Sequence, residues 1–179
     1  MAQDHPYGFG TLAIHAGAIP DPVTGARATP IHQTTSFVFD NAEHASSLFN
    51  LQTFGNVYSR ISNPTVAVLE ERVASLEGGR AALACGSGMA AQTTALLAIL
   101  KAGDHIVAAS TLYGGSVGQL GLGFERLGIH TTFVDPADPD NFRRAMRPNT
   151  RAVYGETLGN PLVNVFDIEA VAAVAPWAW

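Results

Sequence analysis

The sequence predicts an α/β fold in which an extended N-terminal arm leads into part of a mostly parallel sheet with flanking helices. Two observations carry this. From about residue 63 onward, short apolar runs alternate with helix-like segments, the pattern of βαβ units and a parallel sheet. Before that point the chain is rich in Pro, Gly, Thr and His ("HAGAIPDPVTGARATPIHQTTSF") and shows no regular apolar period. The chain accordingly divides into an arm, residues 1–62, and a sheet-bearing part, residues 63–179.

The arm is expected to hold one short helix near Glu43 to Gln52, with Ala45, Leu48 and Phe49 on one face. The next helix has a clear start and stop. Asn63 suits the N-cap and Pro64 the first helical position. Val66, Leu69, Val73 and Leu76 recur at helical spacing, and Gly78-Gly79 closes the helix. Ala81–Cys85 reads as a strand, Ser87–Lys101 as a helix and His105–Ala109 as a strand. A helix loosened by glycines over Ser116–Leu127 precedes the strand His130–Asp135. "DPADPDNFRRAM" supplies a turn, a cap and a short helix, and Arg151–Glu156 a further strand. "FDIEAVAAVA" opens a last helix, which Pro176 stops before Trp177 and Trp179.

Composition narrows the function. The 179 residues are 47% hydrophobic, enough for one sizeable core, and carry a net charge of −5 with no Lys/Arg block, which argues against a nucleic-acid surface. The N-terminus has an acid and a proline where a secretory signal would have basic residues followed by an apolar run. The longest apolar run, Ala95 to Leu100, is too short to span a bilayer. A cytoplasmic location is expected, with no membrane partner. The single Cys85 excludes an internal disulfide. The six histidines fall at no ligand-like spacing, so no metal site is expected.

"ACGSGMAAQ" is the most informative stretch. Gly86, Gly88 and Ala91 satisfy a dinucleotide-type G-x-G-x-x-A pattern. The acid that pattern requires after the next strand is missing, because "HIVAAST" ends in Ser110 and Thr111. This counts against a nicotinamide-dependent oxidoreductase. Two readings stay open for the segment itself. Ser87 as N-cap, with the N–H groups of Gly88 and Met89, can hold one phosphate, or the glycines simply allow close strand–helix packing. Tyr58 and Arg60 sit at alternate positions of a segment read as extended, so both can point one way and clamp a phosphate. Tyr113 lies in a glycine-rich loop beyond a strand end, where an aromatic can stack on a flat ring. Glu156 and Asn160 follow another strand end, and Asn160 can reach a ring substituent.

Taken in order and spacing, "TLAIHAG", "PIHQTTSFVFD", "YSRISNPT", "SGMAA", "LYGG" and "ETLGNP" resemble the cystathionine γ-synthase-like family of pyridoxal-phosphate enzymes of Cys/Met metabolism. The segment from Ser36 to Thr65 is most similar to the O-acetylhomoserine sulfhydrylase group. The resemblance implies an aspartate-aminotransferase-like, fold type I domain and pyridoxal 5'-phosphate as cofactor. It implies that Gly88 and Met89, beside Ser87, bind the cofactor phosphate, that Tyr113 stacks on the ring from the substrate side, and that Asn160 lies by the 3-hydroxyl. It further implies a homo-oligomer, a tetramer, in which Tyr58 and Arg60 reach the phosphate of a neighbouring subunit. The implied reaction is γ-replacement on O-acetylhomoserine by sulfide, with γ-synthase or γ-lyase chemistry as alternatives sharing these motifs.

The resemblance also implies an aspartate for the pyridine nitrogen and a Schiff-base lysine, followed by a smaller domain. None of these is recognisable in the 179 residues, whose only lysine is Lys101. The expectation is an incomplete copy of such an enzyme, inactive alone and poorly soluble or dependent on a partner. A non-catalytic relic or interaction subunit is the alternative from another class.

Overall fold

The computed structural model describes residues 6–175 and divides into two compact units, residues 1–84 and 85–179. The stop at Pro176 and the two tryptophans lie outside the described residues.

The first unit is built around three helices, α1 (Phe9–His15), α2 (Ala42–Phe49) and α3 (Pro64–Glu77). α2 and α3 begin where the capping chemistry places them. Asn41 Oδ1 accepts from His44 N–H at 2.7 Å, and Asn63 Oδ1 accepts from Thr65 N–H at 2.9 Å. Asn63 does more than cap, because its amide donates to the His32 carbonyl and to Ser59 Oγ, both at 2.9 Å. Thr65 Oγ1 adds a bond to the Pro30 carbonyl at 2.7 Å. These bonds fasten the irregular arm to the first turn of α3. Gly78 ends α3 at φ +65°, a conformation that costs glycine little.

One expectation for this unit needs correction. The arm is not extended throughout, since α1 occupies Phe9–His15. No side chain caps this helix and none of its residues is buried, so neither start signal nor apolar stripe announced it. It is held partly from outside, by Arg72 Nε donating to the Ala16 carbonyl at 3.1 Å. The apolar stripe on α3 correctly marks a helix, yet Val66, Leu69 and Val73 are exposed and only Ala74 and Ser75 are buried.

The second unit contains a three-stranded, wholly parallel sheet of β1 (His105–Ala109), β2 (His130–Val134) and β3 (Thr150–Tyr154) in the order β2-β1-β3. β1 is buried at every position, as expected of a central strand with cover on both faces. Its Ile106 and Val107 join Leu96, Leu100, Leu120, Phe124, Ile129 and Phe142 in one apolar cluster. Helix α4 (Gly88–Ile99) precedes β1, α6 (Asp140–Ala145) lies between β2 and β3, and α7 (Ile168–Val174) follows β3.

The glycine-rich stretch after β1 breaks into a short helix α5 (Gly114–Gly118), a π-helical turn Gln119–Gly123 and a 3₁₀ turn Glu125–Leu127. This agrees with a helix loosened by glycines. The strand expected at Ala81–Cys85 does not form. None of these residues has a ladder partner among the described residues, and the backbone N–H of Ala84 turns instead to Glu70 Oε1 at 2.8 Å. A run of small apolar residues without a ladder partner remains irregular.

His105 opens β1 fully buried, with Nδ1 2.7 Å from Thr150 Oγ1 and Nε2 2.9 Å from Thr132 Oγ1. Arg147 donates to the same Thr132 oxygen at 3.0 Å. Burial, reinforced by the charges of Arg147 and His130, holds the His105 pKa below its ordinary value.

Candidate functional site

The first turn of α4 has the chemistry of an anion site. Ser87 caps the helix, its Oγ accepting from Ala90 N–H at 3.1 Å, and its carbonyl accepts from Ala91 N–H at 3.0 Å. The N–H groups of Gly88 and Met89 then have no protein partner among the described residues. The Ser87 hydroxyl, used as acceptor by the cap, still has its own hydrogen to donate. A side chain added at Gly86 or Gly88 would meet nothing within 4 Å, so the backbone here borders open space. Two backbone donors and one hydroxyl at a positive helix end, with no acid in the first turn, fit a phosphate.

That turn lines one side of a cleft of about 650 Å³ in the second unit. Ser87, Gly88, Met89 and Gln92 come from α4, Tyr113 and Ser116 from the loop after β1 and from α5, and Tyr154 and Glu156 from the end of β3. The cleft thus lies beyond the carboxyl ends of parallel strands, where such sheets bind ligands. Tyr113 is 53% exposed, its ring free to meet a planar ligand. The ring lies over Gly115, where an added Cβ would overlap it, so Gly115 is the residue that lets the phenol lie there.

Three sequence-expected residues are therefore brought together with Tyr113: Ser87, Gly88 and Met89. Asn160 is not among the residues lining this cleft. It is exposed and donates its backbone N–H to the Thr111 carbonyl at 3.2 Å. Tyr58 and Arg60 belong to the first unit. Tyr58 pairs with Ser36 in an antiparallel bridge, but residues 59–61 form a turn, so the segment is not extended across Arg60. The two side chains nonetheless point together, with the Arg60 guanidinium 5.6 Å from the Tyr58 ring centroid. The first unit also carries grooves of about 450 and 430 Å³, and neither includes an expected site residue. Lys101 follows the last turn of α4, at the end away from Ser87, and donates its N–H to Asp104.

Sequence reasoning missed the polar wall of the cleft. Gln92 Oε1 lies 3.1 Å from the Ser116 hydroxyl and accepts from Tyr154 Oη–H at 2.9 Å. Burial first, then the negative charge of Glu156, raises the Tyr154 pKa and keeps that phenol protonated. One signal was available. Gln92 stands four residues after Gly88 and so shares its helix face.

The second unit is thus a parallel α/β domain with free backbone donors at a helix N-terminus and an exposed aromatic beyond its strand ends, the class of fold that takes phosphorylated ligands at that place. Comparison with known proteins gives the family. The model of the Cys/Met metabolism PLP-dependent enzymes matches residues 10–177, and the chain belongs to that family, whose cofactor is pyridoxal 5'-phosphate.

Among its relatives, an O-acetyl-L-homoserine sulfhydrylase of Leptospira meyeri is 56% identical over 165 residues, which is 92% of this chain and 37% of the relative. O-acetyl-L-homoserine sulfhydrylase 1 of Thermus thermophilus is 50% identical over 93% of this chain and 40% of the relative. An L-methionine gamma-lyase of Treponema denticola is 46% identical over 94% and 42%. The chain thus spans about two fifths of the length of the curated relatives it matches.

Among solved structures, one from Campylobacter jejuni subsp. jejuni, described as an O-acetylhomoserine (thiol)-lyase with pyridoxyl-lysine monophosphate, superposes with a TM-score of 0.87 at 36% identity. It covers 94% of this chain and 41% of its own. The fold is the type I domain of pyridoxal-phosphate enzymes, of which this sheet is a part.

Proposed function

We propose that the chain is the cofactor-phosphate portion of a transferase that replaces the acetoxy group of O-acetylhomoserine with sulfide, giving homocysteine. The observation that carries this reading is the identity of 50–56% to O-acetyl-L-homoserine sulfhydrylases, combined with the free donors of the α4 turn.

In this reading Ser87 Oγ–H and the N–H groups of Gly88 and Met89 take the phosphate, and Tyr113 stacks on the ring and shields one face from water. Asn160 serves the ring's 3-hydroxyl. Tyr58 and Arg60, whose side chains already lie together, contribute a phenol and a guanidinium to the phosphate of a neighbouring subunit, so residues 1–62 act as an inter-subunit arm. Bound there, the cofactor supplies an electron sink for the negative charge that develops on the amino-acid substrate.

A second reading, elimination from methionine, is favoured by the 46% identity to an L-methionine gamma-lyase. The test uses protein purified from its native source. Sulfide-dependent formation of homocysteine from O-acetylhomoserine is the expected result. Release of methanethiol from methionine without sulfide turnover would favour the second reading, and a preparation with neither activity would overturn both.

A further inference from the structure

We propose that Glu156 is a positioning residue that sets the ring of Tyr113 over the cleft and ties it to the phosphate turn. Both carboxylate oxygens face the backbone N–H of Tyr113, Oε1 at 3.1 Å and Oε2 at 3.0 Å. Tyr113 stands at the N-cap of α5, and no side chain of its own caps that helix. The carboxylate therefore supplies from 43 residues away what a Glu or Gln at the third helical position supplies in a capping box, an acceptor for the N–H of the N-cap residue itself.

The contact extends to α4. The Ser116 hydroxyl is buried, 3.2 Å from Glu156 Oε1 and 3.1 Å from Gln92 Oε1, and donates to one of them at a time. Gln92 stands on the same face of α4 as the free N–H of Gly88. A chain of polar contacts thus runs from the end of β3 through α5 to the phosphate helix. Gly115 fixes the other side of the arrangement, because the Tyr113 ring rests where a Cβ at 115 would be. Glu156 thus holds the backbone of Tyr113 while Gly115 leaves the seat its ring occupies, with the outer side of the ring open. Such pre-set geometry lowers the ordering cost of binding a planar ligand.

This inference rests on the cofactor reading, so its test separates the two. Pyridoxal phosphate is titrated into the unsubstituted protein, Glu156→Ala and Glu156→Gln, following both the dissociation constant and the circular dichroism of the bound cofactor band. Glu156→Ala is expected to weaken binding about tenfold, the loss of one charge-assisted hydrogen bond, and to flatten the dichroic band. Glu156→Gln, which keeps an acceptor oxygen for Tyr113 N–H, is expected to restore binding to within about threefold and to return the band.

A role in folding alone would lower the melting temperature and leave the dichroism of the bound fraction unchanged. That outcome, or an unchanged constant and band in Glu156→Ala, overturns the inference and leaves the cofactor site standing. Absence of binding by the unsubstituted protein overturns the cofactor site and this inference with it. If Glu156→Ala fails to fold, Ser116→Ala reports on the same contacts, with an expected loss of about threefold and overturning if there is none.

Discussion

The two units of this chain are held together by different means. In the second, β1 is sealed on both sides, and Ile106, Val107, Leu120 and Phe142 have no exposed surface. In the first, Leu48 and Ala74 are the buried apolar residues among those described, while Val38, Leu51 and Phe54 are at least 90% exposed. What orders the first unit is polar: the local caps of Asn41 and Asn63, the long-range ties of Asn63, Thr65 and Arg72 to the arm, and the turn at Gly78. Apolar content alone therefore does not mark a core. A parallel strand with two neighbours buries its side chains whatever their period, whereas the arm leaves even Phe9 and Phe54 exposed.

The sharpest way to break this contrast is a pair of matched truncations. Phe142→Ala removes a fully buried ring and should cost about 3–5 kcal/mol in a denaturant melt. Phe54→Ala removes a fully exposed one and should change stability by less than about 0.5 kcal/mol. Similar losses in the two would show that the first unit has a core of its own.

A smaller effect probes the polar side of the comparison. Asn63→Ala removes the cap of α3 and both ties to His32 and Ser59, and should cost about 1–2 kcal/mol. Hydrogen exchange should quicken in the first turn of α3 and leave β1 unaffected. Exchange that quickened equally in both places would contradict the division.

The third and smallest effect depends on pH. Burial depresses the His105 pKa, so the unfolded chain takes up a proton that the folded chain refuses. The contribution of neutral His105 is complete above its ordinary pKa of 6.5 and declines as the pH falls below it. Thermal melts from pH 8 to pH 5 should show this decline, and His105→Gln should flatten it. An equally steep decline in that variant would assign the effect to other groups.

The same contrast explains what could be read from the sequence. α3 and α4 were legible because their signals are local: Asn63-Pro64 and Gly78 for one, Ser87 for the other. β1, β2 and β3 were legible as short runs between turns. α1 was not, since it has no capping side chain and no buried stripe, and the expected strand at Ala81–Cys85 failed because pairing is a non-local property.

The candidate site divides along the same line. Ser87, Gly88, Met89 and Tyr113 stood out because each follows from its neighbours in the chain. The contact of Glu156 with Tyr113 joins residues 43 apart, and that of Tyr154 with Gln92 joins residues 62 apart. No spacing rule could have paired them.

The central claim is that the turn Ser87-Gly88-Met89 holds the phosphate of pyridoxal phosphate. Its most direct test compares the dissociation constants of pyridoxal phosphate and of pyridoxal, which lacks the phosphate, in the protein and in Ser87→Ala. The prediction is that pyridoxal binds at least about a hundredfold more weakly, and that Ser87→Ala narrows the gap by weakening the phosphorylated form alone. Equal affinity for the two compounds, with Ser87→Ala without effect, would contradict the claim.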